Sequence, residues 1–141
     1  MSRILKLKQK YHKFYKSIGL VISTAINENV VFNNHGWKHF RYSGRGHRRP
    51  STSIVMRLKL LPFIPQVVRK AKVIIKNNKR IVRIKGKLKV VEYFEIANEV
   101  IVLGRTKHIT VILRRIESGT LHYLSCRYTS KKTKKALKGL L

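Results

Sequence analysis

The sequence predicts an α+β domain in which N-terminal helices pack on a four- to five-stranded antiparallel β-meander, with basic extensions at both ends. Apolar residues recur at helical spacing before Lys72, whereas β-branched runs joined by short turn signals follow it. Short connections favour antiparallel pairing, because a parallel crossover needs a dozen or more residues. We therefore expect a basic arm or helix over residues 1–17, a single domain over 18–129 and a basic tail over 130–141.

The N-terminal segment combines apolar and basic residues. Residues 1–17 place aliphatic and aromatic side chains among lysines near helical spacing but without a helix start signal, so an amphipathic helix and a partly ordered arm both stay open. The apolar run 18–26 predicts a core strand or helix. It also resembles a signal peptide, because it follows a basic leader and ends in the small residues Ser23, Thr24 and Ala25.

Polar residues separate the next two predicted elements. Residues 30–32 predict a brief strand, which Asn33 and Asn34 close as a turn or a helix cap. A short helix is expected from Trp37 to Tyr42, opening into a glycine-rich loop over 43–46. This segment therefore predicts a change from strand to helix to loop within about 20 residues.

Residues 51–71 predict a helix in two pieces. The hydroxyls of residues 51–53 can cap its start, and apolar residues then follow one helical face. Pro62 and Pro65 break or kink it, because proline lacks the backbone N–H that a helix interior needs.

The second half predicts successive β-strands with short connections. Asn77-Asn78 is expected to be a turn, and Glu117-Ser118-Gly119 the turn of a hairpin between two runs rich in β-branched and aromatic residues. Alternation in that hairpin places Arg114 on one face and Arg115 on the other. The expected strands cover residues 73–75, 81–84, 88–96, 100–103, 108–113 and 120–126.

The charge of the chain indicates a polyanionic partner. Lys and Arg number 33 against 5 Asp and Glu, which gives a formal net charge of +28. Nucleic acid is the commonest partner of such a chain, since phosphate neutralisation releases counterions. Anionic membrane is the rival, but no apolar run approaches the roughly 18 to 20 residues of a span, so no stable membrane insertion is expected.

The acidic residues and the single cysteine argue against metal chemistry. All five carboxylates are glutamates, and only Glu92, Glu95 and Glu99 lie close together. On a strand, residues 92 and 95 face opposite sides, which argues against a two-metal site. Cys126 cannot anchor a structural zinc site or an internal disulfide alone. We therefore predict no metal site and no cofactor.

The segment 35–50, HGWKHFRYSGRGHRRP, is rich in histidine and arginine. Cleaving RNA without metal needs a base for the 2′-hydroxyl, an acid for the leaving oxygen and cations around the phosphate. Histidine suits the first two roles and arginine the third. Similar residues recur on the last two predicted strands, and we expect the two groups to converge if the sheet packs against the helices.

The order of four short motifs resembles the barnase, EndoU, colicin D and RelE group of metal-independent RNases, particularly the small domains found in phage and toxin contexts. The motifs are GWKHF at 36–40, GHRRP at 46–50, VILRR at 111–115 and YLSCR at 123–127. This resemblance implies an RNA-cleaving endoribonuclease that leaves a 2′,3′-cyclic phosphate and a 5′-hydroxyl. Barnase uses a glutamate as base, and no glutamate here is equivalent, so a histidine and a lysine both stay open as the base.

The resemblance also implies residue roles. His39 is the leading general base or acid with His47 as its partner, Arg114 or Arg115 holds the phosphate, and Ser125 and Arg127 orient the substrate. The predicted catalytic set is His39, His47, Arg114 and Ser125. The predicted substrate-binding set is Trp37, Arg41, Arg45, Arg48, Arg49, Arg115, Tyr123 and Arg127.

A non-catalytic RNA- or DNA-binding protein is the alternative, because the basic composition explains phosphate binding without catalysis. For the nuclease the expected partner is RNA, as tRNA, mRNA or the ribosome. An acidic antitoxin or immunity protein would also fit the charge. Cytoplasmic residence and delivery as a secreted toxin both stay open.

Overall fold

A single six-stranded mixed sheet organises the molecule, in a computed structural model that describes residues 3–43 and 46–140, Leu140 by its backbone alone. The strand order across the sheet is β1-β2-β6-β5-β4-β3. The strands are β1 (Leu20–Ser23), β2 (Glu28–Val31), β3 (Ile74–Ile84), β4 (Lys87–Val102), β5 (Arg105–Ile116) and β6 (Leu121–Tyr128).

The α+β class is confirmed, but the predicted sheet was too small and too regular. Strands β3 to β6 form the expected antiparallel meander. Strand β2 then joins the far edge parallel to β6, and β1 pairs antiparallel with β2. The parallel pair is possible because a long stretch of chain, including three strands and several helices, separates β2 from β6. Sequence patterns report local connections and gave no sign of this distant pairing.

Five α-helices accompany the sheet in the described part of the chain. They are α1 (Arg3–Ile18), α2 (Asn34–Lys38), α3 (Ser51–Leu60), α4 (Ile64–Lys70) and α5 (Lys131–Leu140). The predicted break is confirmed, since a 3₁₀ turn, Leu61–Phe63, separates α3 from α4 and the two prolines stand at the starts of the turn and of α4. None of the helices in the described part of the chain is long and apolar enough to span a membrane.

One face of the sheet carries the hydrophobic core beneath the helices. Inward-facing residues of β4, β5 and β6 meet α3 and α4 there, where Ile54, Ile64, Val111 and Leu113 are at most 1% exposed. Helix α1 joins this core through Tyr15, whose hydroxyl donates to the backbone oxygen of Asn33 at 2.7 Å. The N-terminal segment, for which arm and helix were both open, is thus a helix packed on the core.

Two predicted interruptions of the meander were wrong. Asn77 and Asn78 lie inside β3, because they pair with Phe94 and Tyr93 in the ladder with β4. The Asn77 side-chain amide also donates to Tyr93 O and to the Glu92 side chain, at 3.1 Å each. Strand β4 likewise runs unbroken through residues 96–100. The Glu117–Gly119 turn is confirmed, and so are the opposite faces of Arg114 and Arg115.

Helix α2 lies against the free edge of β6. Strand β2 pairs with β6 only at Leu121 and His122, which leaves the edge beyond them open. A Cβ on Gly36 would stand 2.5 Å from the backbone oxygen of Tyr123 and 2.6 Å from the Tyr15 hydroxyl. Only glycine therefore lets the helix approach this closely, and the approach brings α2 beside the sheet face opposite the core.

Candidate functional site

A groove runs along the sheet face opposite the core, between α2 and the β3–β4 hairpin. It consists of two adjoining cavities of about 680 and 400 Å³, and His35 and Arg114 line both. Residues Ile112 and Arg114 face the groove because they alternate with the buried Val111 and Leu113. The larger cavity is lined by His35, Lys38, His39, Tyr42, Ser43, Gly46, Lys76, Asn78, Arg80, Val82, Tyr93, Glu95, Ile112, Arg114 and Leu124.

Helix α2 delivers two histidines to this groove. Its N-cap is Asn33, whose side-chain oxygen accepts a hydrogen bond from Gly36 N at 3.2 Å, so a helix cap is the one of the two predicted roles that the structure shows. His35 and His39 are four residues apart and therefore lie on one side of the helix, with ring centroids 5.8 Å apart. Trp37 and Phe40 point the other way, into the core.

Strands β5 and β6 supply an arginine and a third histidine. Arg114 and His122 are paired across the ladder, and Arg114 Nε donates to His122 Nε2 at 3.0 Å. The proton of neutral His122 is therefore assigned to Nδ1. The ring also forms a hydrogen bond with the backbone of Thr120. Burial, then the charges of Arg114 and His35, lower the pKa of His122 to about 4, so the ring is neutral at pH 7.

Arg49 fixes the orientation of His39. Its Nε donates to the backbone oxygen of His39 at 2.9 Å, and its Nη2 lies 3.3 Å from His39 Nδ1. Because a guanidinium can only donate, Nδ1 accepts and neutral His39 carries its proton on Nε2. Burial, followed by the charge of Arg49 and those of its other basic neighbours, lowers the pKa of His39 to about 4.

His35 stands between the other two imidazoles. Its ring centroid lies 5.8 Å from that of His39 and 6.1 Å from that of His122. The residue as a whole is exposed. Its pKa is lowered, first because the ring is partly desolvated and then because the charges of Arg114 and Lys38 are near it. Within residues 3–43 and 46–140 its ring makes no hydrogen bond, so a nitrogen lone pair is free to accept a proton.

Arg57 of α3 is close enough to His39 for its charge to contribute to lowering the pKa of that histidine. It donates to Ser125 Oγ at 3.3 Å and to the backbone oxygen of Cys126. Ser125 is 7% exposed and lines neither cavity. Of the predicted catalytic set, the groove thus contains His39 and Arg114, whereas Ser125 holds Arg57 behind it.

Several predicted substrate-binding residues have other roles. Arg115 pairs with Glu28 at 2.5 Å and Glu92 at 3.6 Å, on the core face. Arg127 pairs with Glu95 at 2.5 Å. Trp37 and Tyr123 are 6% and 1% exposed and pack in the aromatic core. Their rings are therefore covered by protein and are not available for stacking on a base.

The loop after α2 contributes less to the groove than its composition suggested. His47 is exposed and lines neither cavity, so the structure does not join it to His39. The Arg41 guanidinium lies over the Tyr42 ring at 5.7 Å, and Arg48 forms a β-bridge with Tyr42. Arg45 lies outside the described residues. Of the predicted loop cations, Arg49 is the one that binds a groove histidine in the described part of the chain.

The sequence analysis did not select His35 or Arg57 as site residues, and it included His122 among the strand residues expected to converge without giving it a role. His35 was recognisable as the residue four before His39 on a short helix. His122 was recognisable as the neighbour of the core residue Tyr123 on a strand, opposite Arg114 in the hairpin. Arg57 carried no such signal, because only the packing of α3 against β6 brings it to Ser125 and within electrostatic reach of His39.

Acidic and sulfur ligands are sparse around the groove. Among the residues that the structure describes, no group of three or more His, Cys, Asp or Glu side chains has an arrangement that could hold a metal ion. The Glu95 carboxylate in the larger cavity is engaged by Arg127. The groove is therefore dominated by imidazole, guanidinium and ammonium groups.

The family model described as large polyvalent protein-associated domain 3 matches residues 2–123. No match was found among the curated proteins or the solved structures with which the chain was compared. The matched range includes helices α1 and α2 and, on strands β5 and β6, Arg114 and His122. The chain therefore belongs to the large polyvalent protein-associated domain 3 family.

Proposed function

We propose that this member of the large polyvalent protein-associated domain 3 family is a metal-independent endoribonuclease whose active site is the groove around Arg114. One observation carries the proposal: the rings of His35, His39 and His122 succeed one another at centroid distances of 5.8 and 6.1 Å beside Arg114. This clustering meets the requirement for proton transfer and phosphate binding at one place. The motif order supports the same activity by resemblance.

Arg114 is suited to hold the scissile phosphate. It makes no ion pair within the described residues, and its one side-chain hydrogen bond goes to neutral His122. Arg49 and Arg57 add positive charge behind His39, without a carboxylate to balance either of them in the described part of the chain. A phosphodiester in the groove would relieve this repulsion and would form charge-assisted hydrogen bonds with the free guanidinium donors of Arg114.

His35 and His39 are suited to different proton-transfer roles. His35 has a free lone pair and can take the proton of the 2′-hydroxyl as the 2′-oxygen forms its bond to phosphorus. The bond from phosphorus to the 5′-oxygen breaks, and His39 gives that oxygen a proton from Nε2. His39 must then start as the imidazolium, with protons on both ring nitrogens. The negative phosphate favours this form by raising its pKa, and Arg49 Nη2 must turn from Nδ1 toward the phosphate so that Nδ1 can carry the second proton. The products are a 2′,3′-cyclic phosphate and a 5′-hydroxyl.

His122 is a positioning residue in this scheme. Its Nε2 accepts from Arg114 and so limits the rotation of the guanidinium that receives the phosphate. Its own lone pair on Nε2 is occupied by that bond, which disfavours it as the base. The arrangement divides the three imidazoles into a base, an acid and a support for arginine.

Sequence-tolerant nucleic-acid binding without cleavage is the second candidate. It is favoured by the basic exposed residues of β3, which include Lys76, Lys79, Arg80 and Arg83. This function predicts binding that weakens steeply with salt but survives removal of the histidines. An acidic inhibitor protein would compete with RNA for the same charges under either function.

The test is cleavage of total RNA in EDTA by the full-length protein and three histidine variants. We expect His35→Ala and His39→Ala each to lower the rate by about 10²- to 10⁴-fold, the usual contribution of a general base or acid. His47→Ala is the matched control and should cleave at the wild-type rate, because His47 lies outside the groove. Intact RNA with the wild type, or equal loss in all three variants, would overturn the assignment.

A further inference from the structure

The two cavities of the groove have different linings on either side of Arg114. Because Arg114 and His35 line both, a phosphodiester held there has one neighbouring nucleoside directed to each cavity. The smaller cavity is lined by turn and strand residues that include Gly119 and Thr120. The larger one contains two tyrosines, Tyr42 and Tyr93, and is the only one of the two with aromatic side chains other than histidine.

The wall of the larger cavity offers groups on which a base can stack. The Arg80 guanidinium lies 5.6 Å from the centroid of the Tyr93 ring, and both residues line the cavity. Tyr42 enters from the loop after α2 and is 39% exposed. Aromatic rings and guanidinium planes are the usual supports for unpaired bases. Asn78, beside Tyr93 in the ladder, has a side-chain amide without a hydrogen bond among the described residues.

The groove lies between two walls. The β3–β4 hairpin provides one wall, where Val82 lines the larger cavity and Ile84 the smaller, and α2 provides the other through His35 and Lys38. Bases in a duplex are stacked on each other and point away from the backbone toward their partners. A single strand whose phosphate is bound at Arg114 can direct the bases on either side of it into different cavities, whereas a duplex keeps them stacked and paired.

We propose that the groove selects single-stranded RNA and that the larger cavity holds one unstacked base against Tyr93 and Arg80, with the Asn78 amide facing the edge of that base. This inference rests on the proposed function in placing the phosphate at Arg114. The substrates it implies are loops, linkers and strand ends. Each cavity accommodates one of the two nucleosides next to the phosphate, but only the base in the larger cavity is held by stacking.

Binding of a non-cleavable probe separates this inference from catalysis. The probe is a short 2′-fluoro RNA, which lacks the attacking hydroxyl, measured by fluorescence anisotropy as a single strand and as a blunt duplex of the same sequence. We expect the wild type to bind the single strand at least about tenfold more tightly. Tyr93→Leu should weaken single-strand binding about tenfold, the typical loss for one stacked base, and leave duplex binding unchanged.

Tyr128→Leu is the matched control, since Tyr128 is 47% exposed and lines neither cavity. It should bind both probes as the wild type does. Tyr42→Leu, a loop substitution, provides a second variant if Tyr93→Leu unfolds, and it should also weaken the single strand selectively. Equal binding of both probes by the wild type, or equal behaviour of the cavity and control variants, would overturn the inference. Selective binding by a protein that fails to cleave RNA would support the inference and reject the proposed nuclease.

Discussion

Arg114 and Arg115 are neighbours in the chain, yet their surroundings differ completely. Arg115 faces the helix-covered side of the sheet, where Glu28 and Glu92 neutralise it and the Phe94 ring lies 5.6 Å from its guanidinium. Its bonds to these glutamates raise its pKa. Arg114 faces the groove, where its partner is a neutral histidine and its other neighbours include His35. The guanidinium of Arg115 is therefore paired with carboxylates of the protein, whereas that of Arg114 has hydrogen-bond donors free for a ligand.

The same difference extends to the residues around them. In a chain with 33 basic and 5 acidic residues, carboxylates can neutralise only a few cations. Glu28, Glu92 and Glu95 are engaged by Arg115 and Arg127, so the arginines and lysines of the groove have no carboxylate partner among the described residues. The distribution of carboxylates therefore indicates which arginines stabilise the protein and which can bind phosphate.

Substituting each arginine in turn should give opposite results. Arg114→Gln should lower kcat/KM by about 10²- to 10³-fold, because it removes a donor at the charge that develops in the transition state. Its melting temperature should stay close to that of the wild type, since no carboxylate loses a partner. Cleavage rate and thermal denaturation measured on the same samples check both expectations.

Arg115→Gln is the matched variant on the other face. It should cleave RNA at close to the wild-type rate but lose about 1–2 kcal/mol of unfolding free energy, because two partly buried glutamates lose their cation. If the two variants lost activity equally, the contrast between the faces would be wrong.

As the pH falls, protonation of His122 in the groove should lower the unfolding free energy before the glutamate ion pairs are protonated. His122 is 6% exposed and its pKa falls from 6.5 to about 4 on folding. The unfolded chain therefore binds more protons between these values, so stability decreases as the pH falls from about 6.5 toward 4. The loss from this residue is up to about 3 kcal/mol. Chemical denaturation at several pH values should show a smaller slope for His122→Asn than for the wild type, with His47→Ala unchanged.

The smallest effect is expected where a pair is exposed. Arg127 is 42% exposed at its side chain and binds Glu95 at the edge of the larger cavity. Arg127→Gln should change the unfolding free energy by less than about 0.5 kcal/mol, because water screens such a pair. Urea denaturation checks this value. A loss as large as that of Arg115→Gln would show that exposure does not distinguish the two pairs.

Local rules predicted much of the fold. The prolines of the α3–α4 break, the Asn33 cap and the Glu117–Gly119 hairpin each act within a few residues and appear as expected. The turn at Asn77 was wrong because a long ladder with β4 overrides the turn preference of asparagine. The parallel pairing of β2 with β6 had no local signal at all.

The candidate site was predictable only in part, for a similar reason. Alternation placed Arg114 on the correct face, and the histidine-rich motif contained His39. The motif did not indicate that α2 would lie against β6, because that approach depends on the space left by Gly36 beside Tyr123. His35 and His122 meet through this packing alone. Trp37 and Tyr123 were predicted to stack on bases because they are aromatic, but both rings are buried in the core.

The central claim is that imidazole and guanidinium groups in the groove break an RNA linkage through its own 2′-hydroxyl. The direct measurement is end-group analysis of an oligoribonucleotide treated with wild-type protein in EDTA, beside a matched substrate with a single 2′-deoxy substitution at the cleaved position. We predict a 2′,3′-cyclic phosphate and a 5′-hydroxyl from the first substrate and no cleavage at that position in the second. Cleavage of both substrates, or 5′-phosphate ends, would contradict the account.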